Sequence, residues 1–201
     1  MKKKEEYSND VYRSIINLKK EQSPRKYLIF RKLIEMETGH KILPASKELI
    51  NHVDSIVKSF INQLPKELSD KSHSGAGWEM ETKFREYAQF RSPKGTGYPD
   101  MEGDFSDEIS KIESLFYLEN KGCNETSMND TIRTFYYSSS SRIKQDAPHL
   151  LVAFEYKKTS KGKIWTNKYH IVDLYDKKMS LRVEVNNNGY GNKHMFELDL
   201  I

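Results

Sequence analysis

Tyr98-Pro99-Asp100 and Glu119-Asn120-Lys121, separated by residues 101 to 118, hold the side chains of this chain best suited to chemistry. If residues 115 to 122 form a β-strand, Glu119 and Lys121 point to the same face, because strand side chains alternate with a period of two. Asp100 then has only to open the neighbouring strand for two carboxylates and one ammonium to converge. Two acids can hold a hard divalent cation such as Mg²⁺ through oxygen ligands. A lysine beside them can orient or deprotonate a water, and the cation can stabilise charge that develops on a phosphate. Such a set suffices to hydrolyse a phosphodiester. The competing account is a cross-strand ion pair at the surface, worth about 0 to 1 kcal/mol. Leu115, Phe116, Tyr117 and Leu118 argue against it. They lead into Glu119 as a run buried on both faces, where a charged pair is costly without a partner or a function. Glu102 and Asp104 share a strand face with Asp100 and are its rivals, so register decides which acid meets Glu119.

The elements that position these groups follow from apolar spacing. The first seventy residues read as helices. Val11, Ile15 and Leu18 recur at helical intervals. Ser23-Pro24 starts a second helix with Tyr27, Phe30 and Ile34 on one face and a stop at Gly39. A third follows Ser46. Its stripe of Leu49, Val53, Ile56, Val57, Phe60 and Leu64 ends at Pro65 and suits core packing, with a share left for a dimer interface. Residues 65 to 77 read as a polar loop. A fourth helix runs from about residue 78 to 90, with Met80, Phe84, Tyr87 and Ala88 on one face. Glu81 sits at the flank of that face, an odd place for a carboxylate unless something pairs with it. Arg85, one turn on, is one partner, and a catalytic neighbour is another. From residue 91 the pattern changes to strands. Residues 98 to 105 and 115 to 122 form an antiparallel pair across the acidic turn 106 to 111, with Gly103 marking a bend or bulge. Residues 149 to 156 are a continuous apolar run, as in a central strand. Residues 168 to 176 and 181 to 185 alternate as further strands, and 186 to 192 are turn-rich.

Pro99, Asp100, Glu119 and Lys121, with a helix before them and an apolar strand after, resemble the signature of the PD-(D/E)XK nuclease superfamily, and within it the type II restriction endonucleases. The resemblance spans residues 75 to 156. It implies an α/β fold with a restriction-endonuclease-like core, a mixed central sheet flanked by helices. The implied core order is helix, three strands, linking segment, fourth strand. A nuclease core is therefore expected over 71–201, with a helical region over 1–70 available for dimerisation or DNA contact. In the family's terms Asp100 bridges Mg²⁺ to the scissile phosphate, Glu119 is the second carboxylate ligand, and Lys121 sits by the attacking water. Glu81 matches a glutamate that often completes the site from the preceding helix. The acid after the proline usually fills the first position, which favours Asp100 over Asp104. The implied activity is Mg²⁺-dependent, sequence-specific cleavage of double-stranded DNA. A homodimer acting on a short palindrome, its N-terminal helices the first choice for the contact, and a companion DNA methyltransferase are implied by the family only. Two rivals remain. One is a structure-selective repair or junction nuclease of the same fold. The other is a non-catalytic DNA-binding protein whose acids and lysine merely pair.

Further residues suit a nucleic acid. Arg133, Ser138, Arg142 and Lys144 follow the lysine; the basic groups suit phosphates, and hydroxyls and arginines can read base edges. An ordinary amphipathic connection is the alternative. Asn187, Asn188 and Lys193, in a segment with Asn186 and Asn192, can read a groove, since asparagine pairs with adenine in bidentate fashion; such a loop is more often just a loop. Lys157, Lys158, Lys161 and Lys163 form a basic hairpin loop, read first as a solvated turn. The net charge of +4 suits a polyanion without demanding one, and 11% aromatic residues indicate a folded globule. The single cysteine, Cys123, forms no intrachain disulfide and no cysteine-ligated zinc site. The lysine-rich start lacks the apolar core of a signal peptide, so a cytoplasmic protein is expected. The six histidines fall at no metal-binding spacing, and no phosphate-binding G-x-x-x-x-G-K-[ST] loop occurs.

Overall fold

The computed structural model describes residues 28–64, 73–94, 98–106, 113–124, 142–160 and 162–179. In chain order the elements are β1 (Leu28–Ile29), α1 (Phe30–Thr38), β2 (Ile42–Leu43), α2 (Lys47–Gln63), α3 (His73–Ala88), β3 (Met101–Ser106), β4 (Glu113–Asn124), β5 (Ala147–Thr159), β6 (Gly162–Asp173) and β7 (Lys178–Met179). The helix around residue 11, the Ser23-Pro24 start, the strand at 181 to 185 and the asparagine-rich segment lie outside the described residues.

Helix boundaries follow cap chemistry where caps exist. The Ser46 hydroxyl accepts the Leu49 N–H at 3.1 Å and opens α2. Gly39 adopts φ 74° and returns its N–H to the Glu35 carbonyl at 2.9 Å, closing α1. Two expectations are corrected. Leu28 and Ile29 are not helical; they pair antiparallel with Lys178 and Met179, so α1 begins only at Phe30. Residues 73 to 77 are not loop but the first turn of α3, which is anchored by the burial of Met80 and Phe84; packing carries the glycines of that turn into the helix despite their poor propensity.

The sheet has β3, β4 and β5 side by side, with β2 and then β6 sharing the far edge of β5. β3 runs antiparallel to β4, β4 parallel to β5, and β5 antiparallel to β6. The parallel step requires the chain to cross over between Asn124 and Ala147. Among the described residues two strands, not three, stand between α3 and that crossover. Both β5 and β6 are longer than the apolar pattern suggested, and their outer ends form a hairpin past the last β4 pair, Asn124 with Tyr156.

Each sheet face has its own core. On one, Leu49, Val53, Val57 and Phe60 of α2 and Met80 and Phe84 of α3 pack on Phe116, Leu118, Leu150, Val152 and Phe154. The stripe of α2 is thus consumed by its own fold. On the other face Phe30, Ile34, Ile42, Tyr98, Tyr117, Ile143, Leu151 and Leu174 cluster. Gly103 marks no bulge: the β3–β4 ladder runs through it without a register shift. A Cβ there would stand 2.5 Å from the Phe116 ring, so the glycine lets that ring lie across β3.

His149 is fully buried at the head of β5, its Nδ1 2.5 Å from the Tyr98 hydroxyl. Burial drives its pKa from 6.5 down to about 3. Between those values the unfolded chain takes up a proton that the folded one refuses. Stability therefore falls as pH drops below about 6.5 and keeps falling to about 3. Urea midpoints of His149→Gln should vary less over that range than those of the parent; an unaltered slope would assign the acid sensitivity to other groups.

Candidate active site

Pro99 has no N–H to offer a ladder, and β3 pairs with β4 only from Met101, opposite Leu118. The next donor on β4, the Asn120 N–H, is taken instead by the Asp100 carboxylate at 2.9 Å. A side chain thus replaces a ladder bond and ties Asp100 to the strand that carries Glu119 and Lys121. Those two stand on the same face of β4, as the period of two requires, and their side chains form an ion pair.

The pair is not a surface bridge. Glu119 is 2% exposed and Lys121 about a fifth exposed. Burial pushes the Glu119 carboxyl up to about 8; Lys121 opposes the shift, and the nearby Asp100 carboxyl, within hydrogen-bonding reach, adds to it. For Lys121 burial works to lower the pKa, but the charges of Glu119, Asp100 and Glu81 prevail and hold the ammonium above its ordinary value. The second Glu119 oxygen, Oε2, is buried and has no hydrogen-bond partner among the described residues. A buried carboxylate oxygen left without a donor is expensive and is the kind of atom a cation satisfies.

Glu81 reaches this site from α3. Its carboxyl is raised first by burial and next by the charge of Asp100, against the pull of Arg85, Lys121 and Arg142. Arg85 Nη1 lies 3.2 Å from Glu81 Oε1, so Glu81 makes the pairing expected within the helix while lying near Asp100, Lys121 and Arg142. Arg142 Nη1 donates to the Pro99 carbonyl at 2.8 Å, which places a guanidinium at the peptide leading into Asp100. Asp100, Glu119, Lys121, Glu81 and Arg142 are therefore together.

Other candidates stand apart. Asp104 is bonded bidentately by Arg91, which holds its carboxyl below the usual range, and Glu102 accepts from Arg91 Nε at 3.0 Å. Asp104 pairs with Leu115, four residues before Glu119 and so roughly 13 Å along the strand. Register and the Asn120 bond thus set Asp100, not Asp104, beside Glu119. Lys144 is exposed; its backbone N–H donates to the Tyr117 hydroxyl at 2.9 Å. Lys157 and Lys158 lie on β5 and Lys163 on β6, strand positions rather than loop; the Lys163 ammonium sits 4.5 Å from the centre of the Tyr156 ring. Arg133, Ser138, Lys161, Asn187, Asn188 and Lys193 lie outside the described residues.

A pair not foreseen from sequence stands on the same sheet face. Glu155, buried, meets His170 Nε2 at 2.8 Å, and His170 lies opposite Ala153, itself the neighbour of Lys121. Strand parity holds the signal, but it needs the β5–β6 register, which the sequence does not announce.

Among the described residues no group of three or more His, Cys, Asp or Glu side chains forms a metal-holding cluster. The donor set is two carboxylates. That fits a small, hard divalent cation, which keeps several waters and takes one or two carboxylates together with substrate phosphate oxygens.

A family model described as the Type II restriction enzyme MjaV family matches residues 24–199. The Type II restriction enzyme MjaV of Methanocaldococcus jannaschii is 28% identical over 208 residues, covering 89% of this chain and 89% of its own. No solved structure matches the chain.

Proposed function

The chain belongs to the MjaV type II restriction enzyme family and is a restriction endonuclease, a site-specific deoxyribonuclease; from that premise we propose that Asp100, Glu119 and Lys121 are its catalytic set and Mg²⁺ its cation. One observation carries the assignment. Asp100, tied to β4 through the Asn120 N–H, and Lys121, paired with Glu119 Oε1, gather at Glu119, whose other oxygen, Oε2, is buried and satisfied by no described donor.

Asp100 and Glu119 would hold the cation. Bound there, it supplies positive charge for the phosphoryl oxygens and lowers the pKa of a water. The chain's own groups do the rest. Asp100 is fixed by the Asn120 N–H, so its free oxygen has one direction. Lys121, held charged by its acids, donates to the attacking water and orients it toward phosphorus. Anything that neutralises those acids leaves burial to lower the Lys121 pKa, so that more of the amine is unprotonated and available to accept a proton. Glu81 closes the site from the helix side, and Arg142 lies where a guanidinium can meet a phosphate oxygen of the cut strand. Arg133, Ser138, Lys144, Asn187, Asn188 and Lys193 remain proposals for DNA contact.

We extend the reading to a homodimer on a short palindrome, since two-fold protein symmetry reads two-fold sequence symmetry. Residues 71–201 would carry the chemistry and 1–70 the dimer contact. The apolar stripe of α2 is committed to the core, so that contact must use other surface. A companion methyltransferase would protect host sites, and the pair would act in the cytoplasm. Among the described residues no helix is long and apolar enough to cross a membrane.

Incubation with a mapped plasmid, with and without Mg²⁺, tests the core of this. Discrete fragments that require the cation are expected. Cutting only at branched or mismatched DNA would indicate a structure-selective nuclease, and an intact plasmid across many substrates a binding protein.

A further inference from the structure

Trp78 is 66% exposed, the most exposed large apolar side chain among the described residues. The other tryptophan, Trp165, is buried against Phe154 and Tyr156. Single exposed apolar residues are ordinary on a protein surface, so exposure alone decides nothing. Position decides. Trp78 precedes Glu81 by three residues on α3, so Glu81, at the flank of the face that buries Met80 and Phe84, has Trp78 as its neighbour one turn back on the exposed side. Glu81 lies in the field of Asp100, Lys121 and Arg142. The indole is therefore one helical turn from the carboxyl that neighbours Asp100 and Lys121. The helix is uncrowded there: a Cβ on the adjacent Gly77 would meet nothing within 4 Å.

We propose that Trp78 is a substrate-contacting residue whose indole stacks on a nucleotide adjoining the scissile phosphate. This rests on the nuclease reading. Three residues of helix rise about 4.5 Å. Successive nucleotides of one strand are spaced about 3.4 Å along the duplex. The turn between Trp78 and Glu81 thus spans about the spacing of one or two nucleotides, so a strand whose phosphate is held beside Glu81 can bring a neighbouring base to the ring. Aromatic rings suit that place because every base presents a π-face, so stacking can hold or open the strand whatever the base. Trp78 is linked to the proposed site through Glu81, and the substrate proposed for that site is a duplex, so DNA rather than a second copy is the occupant.

The test uses the full chain and a linear duplex that the parent enzyme cuts once. In a Lys121→Ala background with Mg²⁺, which binds without cutting, the duplex should quench tryptophan emission and shield it from acrylamide. Lys121→Ala combined with Trp78→Phe should lose that response, leaving only buried Trp165 emission. In the otherwise unaltered enzyme Trp78→Ala should lower kcat/KM by about 10-fold, with Trp78→Phe close to the parent, as loss of one stacked base predicts. Circular dichroism should show both variants folded. Cleavage by Trp78→Ala within twofold of the parent, or emission indifferent to DNA while the parent cuts, overturns the proposal. So does a shift of Trp78→Ala from dimer to monomer with cleavage lost, which would make the occupant a second copy. If the parent cuts no DNA, the nuclease reading itself falls and this one with it.

Discussion

Lys121→Ala should lose cleavage by on the order of 10³-fold while still binding duplex DNA, as measured by single-turnover cutting and gel shift on the same fragment. The two effects separate because of where the side chain lies. Lys121 is largely buried against Glu119 in the floor of the site, not on a surface that tracks phosphates, so few ionic contacts to the duplex go with it. The variant also makes a second, more specific forecast. Lys121 is the group that opposes the rise of the Glu119 carboxyl; burial and Asp100 both raise it. Without the ammonium, Glu119 keeps its proton to a higher pH than in the parent. Residual cutting should accordingly climb with pH over an alkaline range in which the parent is already flat. Lys121→Arg should not restore activity, since a planar fork cannot take the place of a compact ammonium in a buried pair. Cleavage unchanged by Lys121→Ala would remove this residue from the mechanism.

The meeting of Asp100, Glu119 and Lys121 was legible because its signals are local. An apolar run leading into Glu-x-Lys announces a buried strand, and a period of two then fixes which side chains share a face. The start of β3 was less legible: the pattern places the strand from residue 98, whereas pairing begins at Met101, since Pro99 has no N–H for the ladder. What sequence left open was the competition among Asp100, Glu102 and Asp104, because it is settled by Arg91, whose bridge to Glu102 and bonds to both rivals need the folded register. The α3 start at His73 was hidden for a related reason: two glycines argue locally for loop, and only the burial of Met80 and Phe84 overrides them. Gly103 suggests a bend or bulge from sequence, but a glycine in a strand has several causes, and the one operating here is a ring from the next strand. β1 and β2, two residues each, give no period at all; they exist because β7 and β5 offer partners. Trp78 carried no motif, and its meaning comes from standing a turn from Glu81.

Glu119→Gln should abolish cutting, by on the order of 10³-fold, and yet make the metal-free protein more stable at alkaline pH. Two acids close together, one of them buried, strain the fold that holds them. With the Glu119 carboxyl at about 8 in the folded chain against 4.5 ordinarily, the folded state keeps a proton that the unfolded state has released. Stability of the parent therefore falls as pH rises from about 4.5 to about 8 and levels off above. His149 acts in the opposite sense below 6.5, so the two together place the metal-free optimum on the acid side of neutrality. Glutamine keeps the shape and can still accept from Lys121, but it carries no charge to bury and none to set against Asp100. At pH 8 the gain should be of order 1 kcal/mol, or about 2–4 °C in Tm for a chain of this size, and should shrink toward pH 5. A saturating divalent cation should reverse the ranking, raising the Tm of the parent by binding only its folded state and leaving Glu119→Gln where it was. Calorimetry at two pH values, with and without Mg²⁺, reads all of these at once. A variant that melts below the parent at pH 8 without metal, or that gains as much from Mg²⁺ as the parent does, would mean that Glu119 is an ordinary partner of Lys121 and that the cation, if there is one, is held elsewhere.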